Sequence, residues 1–101
     1  MTKRKGKIII YSTSGVPTRE VKKLCHQLYG YTDFSQRGRY RYKRRGVLSG
    51  VPHLRVPLTK ATIIVELGEE GQVLELLKKF KARIFCRTIE LEEEDVEQMY
   101  E

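Results

Sequence analysis

Long apolar runs are missing from this sequence, and none approaches the roughly 20 residues that a membrane-spanning helix requires. Segment 1–7 is basic, but only the three isoleucines at 8–10 follow it before polar residues return. Such a run is too short for the apolar part of a signal peptide, and it carries no cleavage signature. We therefore expect a cytoplasmic protein that has no membrane partner.

Cysteine is scarce, and both asparagine and tryptophan are absent. Cys25 and Cys86 stand far apart in apolar stretches without His or Cys neighbours, a pattern that supports neither a disulfide scaffold nor a zinc site. We expect two buried thiols and no cofactor, with a disulfide between them as the alternative. Abundant Lys, Arg and Glu in the absence of Asn are typical of hyperthermophile proteins.

Acidic residues are rare in the first part of the chain. Residues 1–60 contain 15 Lys and Arg but only two acidic residues, whereas residues 61–101 contain five basic and 11 acidic residues. The net charge of +7 therefore combines +13 in the first part with −6 in the second. This asymmetry indicates a polyanionic partner for the first part. The acidic part could be a solvated face, a surface for a protein partner, or a cover for the basic part.

A chain of 101 residues accommodates one domain, 1–101, in which we expect 1–6 to be a disordered basic tail. The apolar periodicity predicts strand, helix, basic extended segment, strand, helix, strand and short helix. These elements are expected at 7–12, 18–29, 37–45, 61–67, after 68–70 up to about 81, 82–91, and from 92 onward. The order indicates a small two-layer α+β domain, βαββαβ-like, which is either ferredoxin-like or half of an anticodon-binding-like fold, with a short C-terminal helix. Between the basic extended segment and the strand at 61–67, residues 46–60 should form loops with short extended pieces.

Segment 29–45 interleaves aromatic with basic residues, and six positive charges fall within 37–45. In an extended chain, Tyr40 and Tyr42 lie on one side and the alternate basic residues on the other. Because cations neutralise phosphates and aromatic rings stack on unpaired bases, we predict an RNA-binding surface in which Tyr40 and Tyr42 stack, with Phe34 as a further candidate. The alternative is that both tyrosines pack into the core. The predicted phosphate ligands of this segment are Arg37, Arg39, Arg41, Lys43, Arg44 and Arg45.

The turn from the first strand into the first helix is a second candidate surface. Helix N-termini present free N–H groups and a positive dipole end, which attract phosphate. Ser14 and Arg19 lie at this turn, and Lys22 and Lys23 follow on the next turn of the helix. Segment 12–19 lacks the Gly-x-x-x-x-Gly-Lys pattern, so nucleotide hydrolysis is not predicted. Ordinary helix capping is the alternative interpretation.

Few residues support catalysis, and we expect that the protein is not an enzyme. His26 is predicted on a polar helix face among lysines. His53, Lys60 and a tyrosine could act as acid, base and charge stabiliser in a metal-free ribonuclease, but nothing in the sequence brings them together. The acidic run 92–95 would spread its carboxylates around a helix rather than around a metal ion.

Two motifs occur in a fixed order between residues 7 and 66. Residues 13–19 (TSGVPTR) follow an apolar strand and precede a basic helix, and residues 40–49 (YRYKRRGVLS) precede the apolar strand at 62–66. This order resembles the Brix family of ribosome-biogenesis proteins, in which a strand runs into Thr-Ser-x-x-Pro-Ser/Thr and a later tyrosine-containing strand ends in Arg-Gly-x-x-Ser.

The chain departs from the family pattern at Gly15 and Val16, where that family usually has basic residues. It is also shorter than a full Brix domain, which looks like two related halves similar to the anticodon-binding domain of tRNA synthetases. The resemblance implies rRNA binding in ribosome assembly, with the basic segment and the helix start as the contact surface.

Charge, aromatic content and motif order together predict a non-catalytic RNA-binding protein of ribosome assembly or translation. The favoured partner is rRNA, and tRNA or another structured RNA fits the same features. A protein-interaction subunit that uses its acidic part is the first alternative. A DNA-binding chromatin or regulatory protein ranks lower, because no helix-turn-helix or base-reading helix is visible in the sequence.

Overall fold

Six strands and three α-helices make up the part of the chain that the computed structural model describes, which is residues 4–35, 38–56, 59 and 61–100. The elements in chain order are β1 (Lys5–Ser12), α1 (Thr18–Tyr29), β2 (Tyr31–Ser35), β3 (Tyr40–Arg44), a short 3₁₀ helix (Val47–Gly50), β4 (His53–Arg55), β5 (Thr62–Glu66), α2 (Gly71–Lys79), β6 (Arg83–Glu90) and α3 (Glu93–Met99). The predicted α+β class, the bounds of α1 and the short C-terminal helix are confirmed.

Four of the strands form an antiparallel sheet in the order β4-β5-β1-β6. Because β1 is antiparallel to both β5 and β6, these two strands run parallel to each other with β1 between them, and α2 connects them. Strand β4 is antiparallel to β5 and hence parallel to β1, so the connection that contains α1 spans β5 in the same way. Two interlocked split βαβ units of this kind form the ferredoxin-like arrangement, one of the two that the sequence predicted.

Helices α1 and α2 pack on one face of this sheet, because alternate strand residues and one stripe of each helix are apolar. The centre of this core contains Ile9 and Tyr11 of β1, Ile63 and Val65 of β5, Leu24 and Leu28 of α1, and Val73 and Leu77 of α2. Burying each aliphatic side chain of this group stabilises the fold by about 1.5–3 kcal/mol. Packing in this core therefore holds α1 in place on the sheet. It also positions the two segments of chain that precede and follow this helix.

Helix α3 covers part of the other face of the sheet. There Ile64, Leu91 and Met99 form a smaller buried cluster, and Ile8 and Leu54 pack against it. The sheet thus has helices on both faces, with α3 as a partial third layer that the two-layer prediction did not include. Because α3 has only seven residues, it leaves the remainder of this face uncovered.

The chain enters the sheet earlier than predicted. Strand β1 begins at Lys5, so the expected disordered tail is wrong for Lys5 and Gly6. The amide of Leu91 also donates a 2.8 Å hydrogen bond to the carbonyl oxygen of Arg4. Gly6 permits this close packing, because a Cβ at that position would lie 2.7 Å from the carbonyl oxygen of Val65 and 2.9 Å from the Leu91 side chain.

Cys25 and Cys86 are free thiols, so the alternative of a disulfide between them is not realised. Both are only partly buried, less than predicted, because Cys86 lies on the edge strand β6 and Cys25 lies beside the most buried stripe of α1. Within the described ranges no three His, Cys, Asp or Glu residues are grouped so that they could hold a metal ion. None of the helices described is long and apolar enough to cross a membrane.

The buried tyrosine of this core gives stability a pH dependence. Burial, and then the 2.6 Å hydrogen bond between the hydroxyls of Tyr11 and Tyr29, raise the pKa of Tyr11 above its ordinary value of 10.0. As pH rises, the unfolded chain therefore loses the Tyr11 proton before the folded protein does. The contribution of neutral Tyr11 to the free energy of unfolding is fully present below about pH 10 and decreases above it. In Tyr11→Phe the free energy of unfolding should be about 1 kcal/mol lower at neutral pH but should fall less steeply above about pH 10. Urea unfolding at about pH 8 and about pH 10.5 measures the free energy of unfolding of both proteins at the two pH values. An equal decrease between these pH values in the wild type and in Tyr11→Phe would contradict the prediction.

Candidate nucleic-acid interface

Strands β2 and β3 pair with each other in a separate two-stranded antiparallel sheet, which we call the basic ribbon (31–35 and 40–44). The sequence predicted an extended segment at 37–45 but not its partner strand. Strand β2 is short, and its sequence YTDFS combines aromatic and β-branched residues with polar ones. That mixture after Gly30 is the signal that could have revealed it.

Two glycines hold the basic ribbon against the end of α1. Gly30 has φ 80° and ψ 176°, a conformation available essentially only to glycine. A Cβ at Gly46 would lie 2.3 Å from the nitrogen of Gly30 and 2.6 Å from the carbonyl oxygen of Leu28. The imidazole of His26 stacks on the ring of Tyr31 at 4.2 Å between centroids. Backbone contact and ring stacking therefore set the direction in which the ribbon leaves the core.

One face of the basic ribbon is aromatic. Residues paired directly across antiparallel strands share a face, and the register pairs Tyr42 with Asp33, with Tyr40 and Tyr31 in alternate positions on the same side. The side chains of Tyr40 and Tyr42 are 48% and 49% exposed. The alternative that these tyrosines pack into the core is therefore wrong. The reason is that every residue of β3 is exposed, so none of the described layers covers this strand.

The other face of the basic ribbon is cationic. Arg41 pairs with Phe34 and Lys43 pairs with Thr32, and all four side chains are exposed. The guanidinium of Arg41 lies 5.9 Å from the centroid of the Phe34 ring, within the range of a cation–π contact. Arg39, which precedes β3, is exposed as well. The predicted alternation of tyrosines and basic residues along this segment is thus present in the structure.

The remaining basic residues of this segment differ in their surroundings. The guanidinium of Arg44 lies 3.6 Å from the carboxylate of Asp33 on the aromatic face, so its charge is partly neutralised within the ribbon itself. Arg45 follows the end of β3 and is exposed. Arg37 lies outside the described residues. The ribbon therefore pairs one of its cations with its own aspartate, and Arg41 and Lys43 present their charges to solvent.

The second predicted surface, the start of α1, is exposed but partly engaged in local contacts. Arg19 and Lys22 are exposed, whereas the ammonium of Lys23 lies 3.6 Å from the carboxylate of Glu20. The amide of Ser14 donates to the hydroxyl of Ser12 at 3.2 Å. Pro17 precedes the helix, and no side chain caps its first turn. The capping alternative is therefore not what the structure shows at this turn.

The structure brings Lys23 together with two lysines that the sequence analysis did not select. A shallow groove between α1 and the end of α2 is lined by Lys23, Lys79 and Lys81 together with Glu20 and Phe80. These lysines come from parts of the chain that are more than 50 residues apart. Only the packing of the two helices on one sheet face makes them neighbours.

The two predicted RNA-binding surfaces do not meet. The helix start at Thr18 and the ribbon that follows Tyr29 lie at opposite ends of α1, whose 12 residues span about 18 Å. A single phosphate therefore cannot contact both. Lys22 and Lys23 lie on the exposed side of α1, between the two surfaces.

Tyr29 is a structural residue, although it belongs to the aromatic series of segment 29–45. Its hydroxyl is hydrogen-bonded to that of Tyr11, and its ring packs against the core. The guanidinium of Arg55, on β4, lies 4.2 Å from the centroid of the same ring. The contact of Arg55 with Tyr29 could not be predicted from the sequence, because the two residues are 26 positions apart in the chain. Arg55 reaches the Tyr29 ring only because β4 pairs with β5 at the edge of the sheet.

Both histidines make local contacts within the described part of the chain. The Nδ1 atom of His53 lies 2.8 Å from the carbonyl oxygen of Val51, so it acts as the donor of a local hydrogen bond. Lys60 lies outside the described residues. His26 is engaged in its stack with Tyr31.

A scan against models of known protein families finds no family that matches this chain. A search of curated proteins finds no match. A search of solved structures finds none either.

Proposed function

We propose that this protein binds structured RNA through the basic ribbon and does so without catalysis. The observation that carries the proposal is the division of the ribbon into two exposed faces, with Tyr40 and Tyr42 on one and Arg41 and Lys43 on the other. Exposed aromatic rings stack on unpaired bases, and arginine and lysine neutralise phosphates. A solvated ribbon of this composition has no packing role in the core, because neither face is buried.

The two-faced ribbon favours a loop, bulge or widened groove as its target rather than a regular duplex. The deep major groove of A-form RNA is too narrow for side chains to read, whereas unpaired bases in loops are open to stacking. A ribbon inserted into such a loop places its tyrosines against bases and its cations against the phosphates opposite. The exposed lysine side of α1 extends the positive surface away from the ribbon.

Within this proposal rRNA is the preferred partner. The preference rests on the resemblance of 13–19 and 40–49 to Brix motifs, and those two segments are the α1 entry loop and strand β3 with the residues that follow it. An rRNA loop would also supply both the unpaired bases and the dense phosphates that the ribbon is built to contact. The absence of catalysis is part of the proposal, because His53 and His26 are engaged in local contacts.

Salt dependence tests the proposal. Binding of a fluorescein-labelled RNA stem–loop, followed by anisotropy between about 50 and 200 mM salt, should show log affinity falling linearly with log salt. In Arg41→Gln/Lys43→Gln the slope should become less steep by about 0.7–0.9 for each phosphate contact that is lost. Affinity should fall together with the slope, because the same counterion release drives both.

Lys5→Gln/Lys78→Gln is the matched charge control. Lys5 on β1 and Lys78 on α2 are exposed cations outside the ribbon, so their loss removes the same number of charges without removing a proposed contact. Equal slopes for the ribbon variant and this control would place the binding elsewhere on the protein. If the wild-type protein fails to bind the stem–loop at low salt, the proposed function is wrong, and the exposed acidic residues of α3 then favour a basic protein partner.

A further inference from the structure

The face of the four-stranded sheet opposite α1 and α2 is only half covered. Helix α3 shields the part around Ile64, but beyond it Ile10 of β1 and Phe85 of β6 are paired directly across the strands and are 41% and 49% exposed. The same register places Arg83 and Arg87 on either side of Phe85 along β6. We call this group of four residues (Ile10, Arg83, Phe85, Arg87) the open sheet patch.

The charge on this patch is of one sign. The neighbouring positions on this face are Ile8 on β1, paired with Arg87, Ser12 on β1, paired with Arg83, and Thr62 on β5, paired with Ile10. All three are uncharged, so among the described residues that the register places on this part of the sheet the only charges are those of the two arginines. An apolar and aromatic centre flanked only by arginines complements a polyanion that carries flat rings.

Arg87 is held in a defined position on the patch. Its guanidinium lies 4.1 Å from the centroid of the Phe85 ring, and its Nη1 atom donates a 2.7 Å hydrogen bond to the carbonyl oxygen of Cys86. The stack and the hydrogen bond together preorganise the side chain. Arginine planes and aromatic rings are both platforms on which unpaired bases stack.

We propose that the open sheet patch binds a single-stranded segment of RNA, one base stacking on Phe85 or on the guanidinium of Arg87 and the neighbouring phosphates contacting Arg83. This inference rests on the proposed function, since both take RNA as the ligand, but it assigns a second surface that is distinct from the basic ribbon. A flat, extended sheet face suits a single strand, whereas the projecting ribbon suits a loop.

A protein partner fits the patch less well. Protein interfaces that form stably bury roughly 800 Å² on each side around an apolar centre with few charges. Here two apolar side chains are bounded by two arginines, so the apolar centre is small. Pairing of a second copy along the unpaired edge of β6 is the competing occupant, and the experiment below separates it from RNA.

The test compares point variants on a single-stranded probe, fluorescein-labelled dodecauridylate. Phe85→Leu keeps an apolar residue but removes the ring, and it should weaken binding about tenfold. Arg87→Gln should weaken binding and reduce its salt dependence. Leu67→Ala is the matched control, because Leu67 is 51% exposed and lies outside the patch, and it should bind like the wild type. Binding of the RNA stem–loop should change little in any of these variants.

Crosslinking supplies a second measurement that does not depend on how well a variant folds. A dodecamer containing 4-thiouridine, irradiated with the wild-type protein and digested with trypsin, should label the peptide 84–87, which contains Phe85. If Phe85→Leu and Arg87→Gln both bind the dodecamer like the wild type, or if the label falls only on ribbon peptides, the inference is wrong while the proposed function stands. A concentration-dependent dimer that Phe85→Leu abolishes, without labelling of this peptide, would assign the patch to a second copy instead. Failure of the wild-type protein to bind the RNA stem–loop would overturn the proposed function.

Discussion

Replacement of Tyr40 and Tyr42 by alanine should weaken binding of the RNA stem–loop at least about thirtyfold and leave the fold intact. Each aromatic ring that stacks on a base contributes about 1–3 kcal/mol, so the loss of two rings costs at least about 2 kcal/mol of binding free energy. Both rings lie on one face of the basic ribbon, where a bound loop can contact them together. The double variant therefore removes the whole proposed stacking surface formed by β3.

The expectation of an intact fold follows from the exposure of the two rings. Tyr40 and Tyr42 are about half exposed, and neither belongs to a buried cluster of the described core. Exposed substitutions of this kind change the free energy of unfolding by about 0.5 kcal/mol or less. Far-UV circular dichroism and the thermal midpoint of the double variant should therefore match those of the wild type.

Two sets of variants serve as controls for ring chemistry and for the face of the ribbon. Tyr40→Phe/Tyr42→Phe keeps both rings and should retain most of the affinity. Phe34→Ala removes an exposed ring from the cationic face, and its effect shows whether bases reach that side as well. If alanine and phenylalanine substitutions at the two tyrosines reduce affinity equally, hydroxyl contacts rather than stacking hold the RNA. If the alanine variant binds as tightly as the wild type, the aromatic face is not the binding surface.

Helices and strands whose apolar residues recur at regular spacing could be predicted from the sequence, because the residues that face the core have to be apolar. The stripe of α1 that contains Leu24 and Leu28, and the apolar run at 62–66, have one packing solution each, and the structure has them at the predicted places. The distribution of charge along β3 could also be predicted from the sequence. The alternation of tyrosines with Arg41 and Lys43 follows from strand geometry alone once the segment is extended.

Features that depend on distant pairing could not be predicted in this way. The strand β2 has no apolar face of its own, and it exists because Gly30 and Gly46 allow the chain to return beside it. The contact of Arg55 with Tyr29 depends on the position of β4 in the sheet. The exposure of Phe85 depends on how far the short helix α3 reaches across the sheet, which no local pattern specifies.

Gly46→Ala should be the most destabilising of the single substitutions considered for the ribbon. The backbone of Gly46 has φ −101° and ψ 177°, which any residue can adopt, so conformational preference is not the reason for a glycine here. The reason is space, because an added Cβ would meet main-chain atoms of Gly30 and Leu28 at 2.3–2.7 Å. Leu28 is fully buried at the end of α1, so its backbone cannot move aside without disturbing the core.

Relief of this contact requires that the ribbon and the end of α1 move apart, which breaks packing on both sides of the junction. We expect Gly46→Ala to lower the free energy of unfolding by about 2–4 kcal/mol and the thermal midpoint by about 10–20 °C. Gly50→Ala is the matched control, because a Cβ at Gly50 meets nothing within 4 Å, and it should change stability by no more than about 0.5 kcal/mol. At a temperature where both variants remain folded, Gly46→Ala should also bind the RNA stem–loop more weakly, since the ribbon no longer leaves the core in its native direction. Equal thermal midpoints for the two alanine variants would show that the junction is not tightly packed and that the direction of the ribbon is not fixed by these glycines.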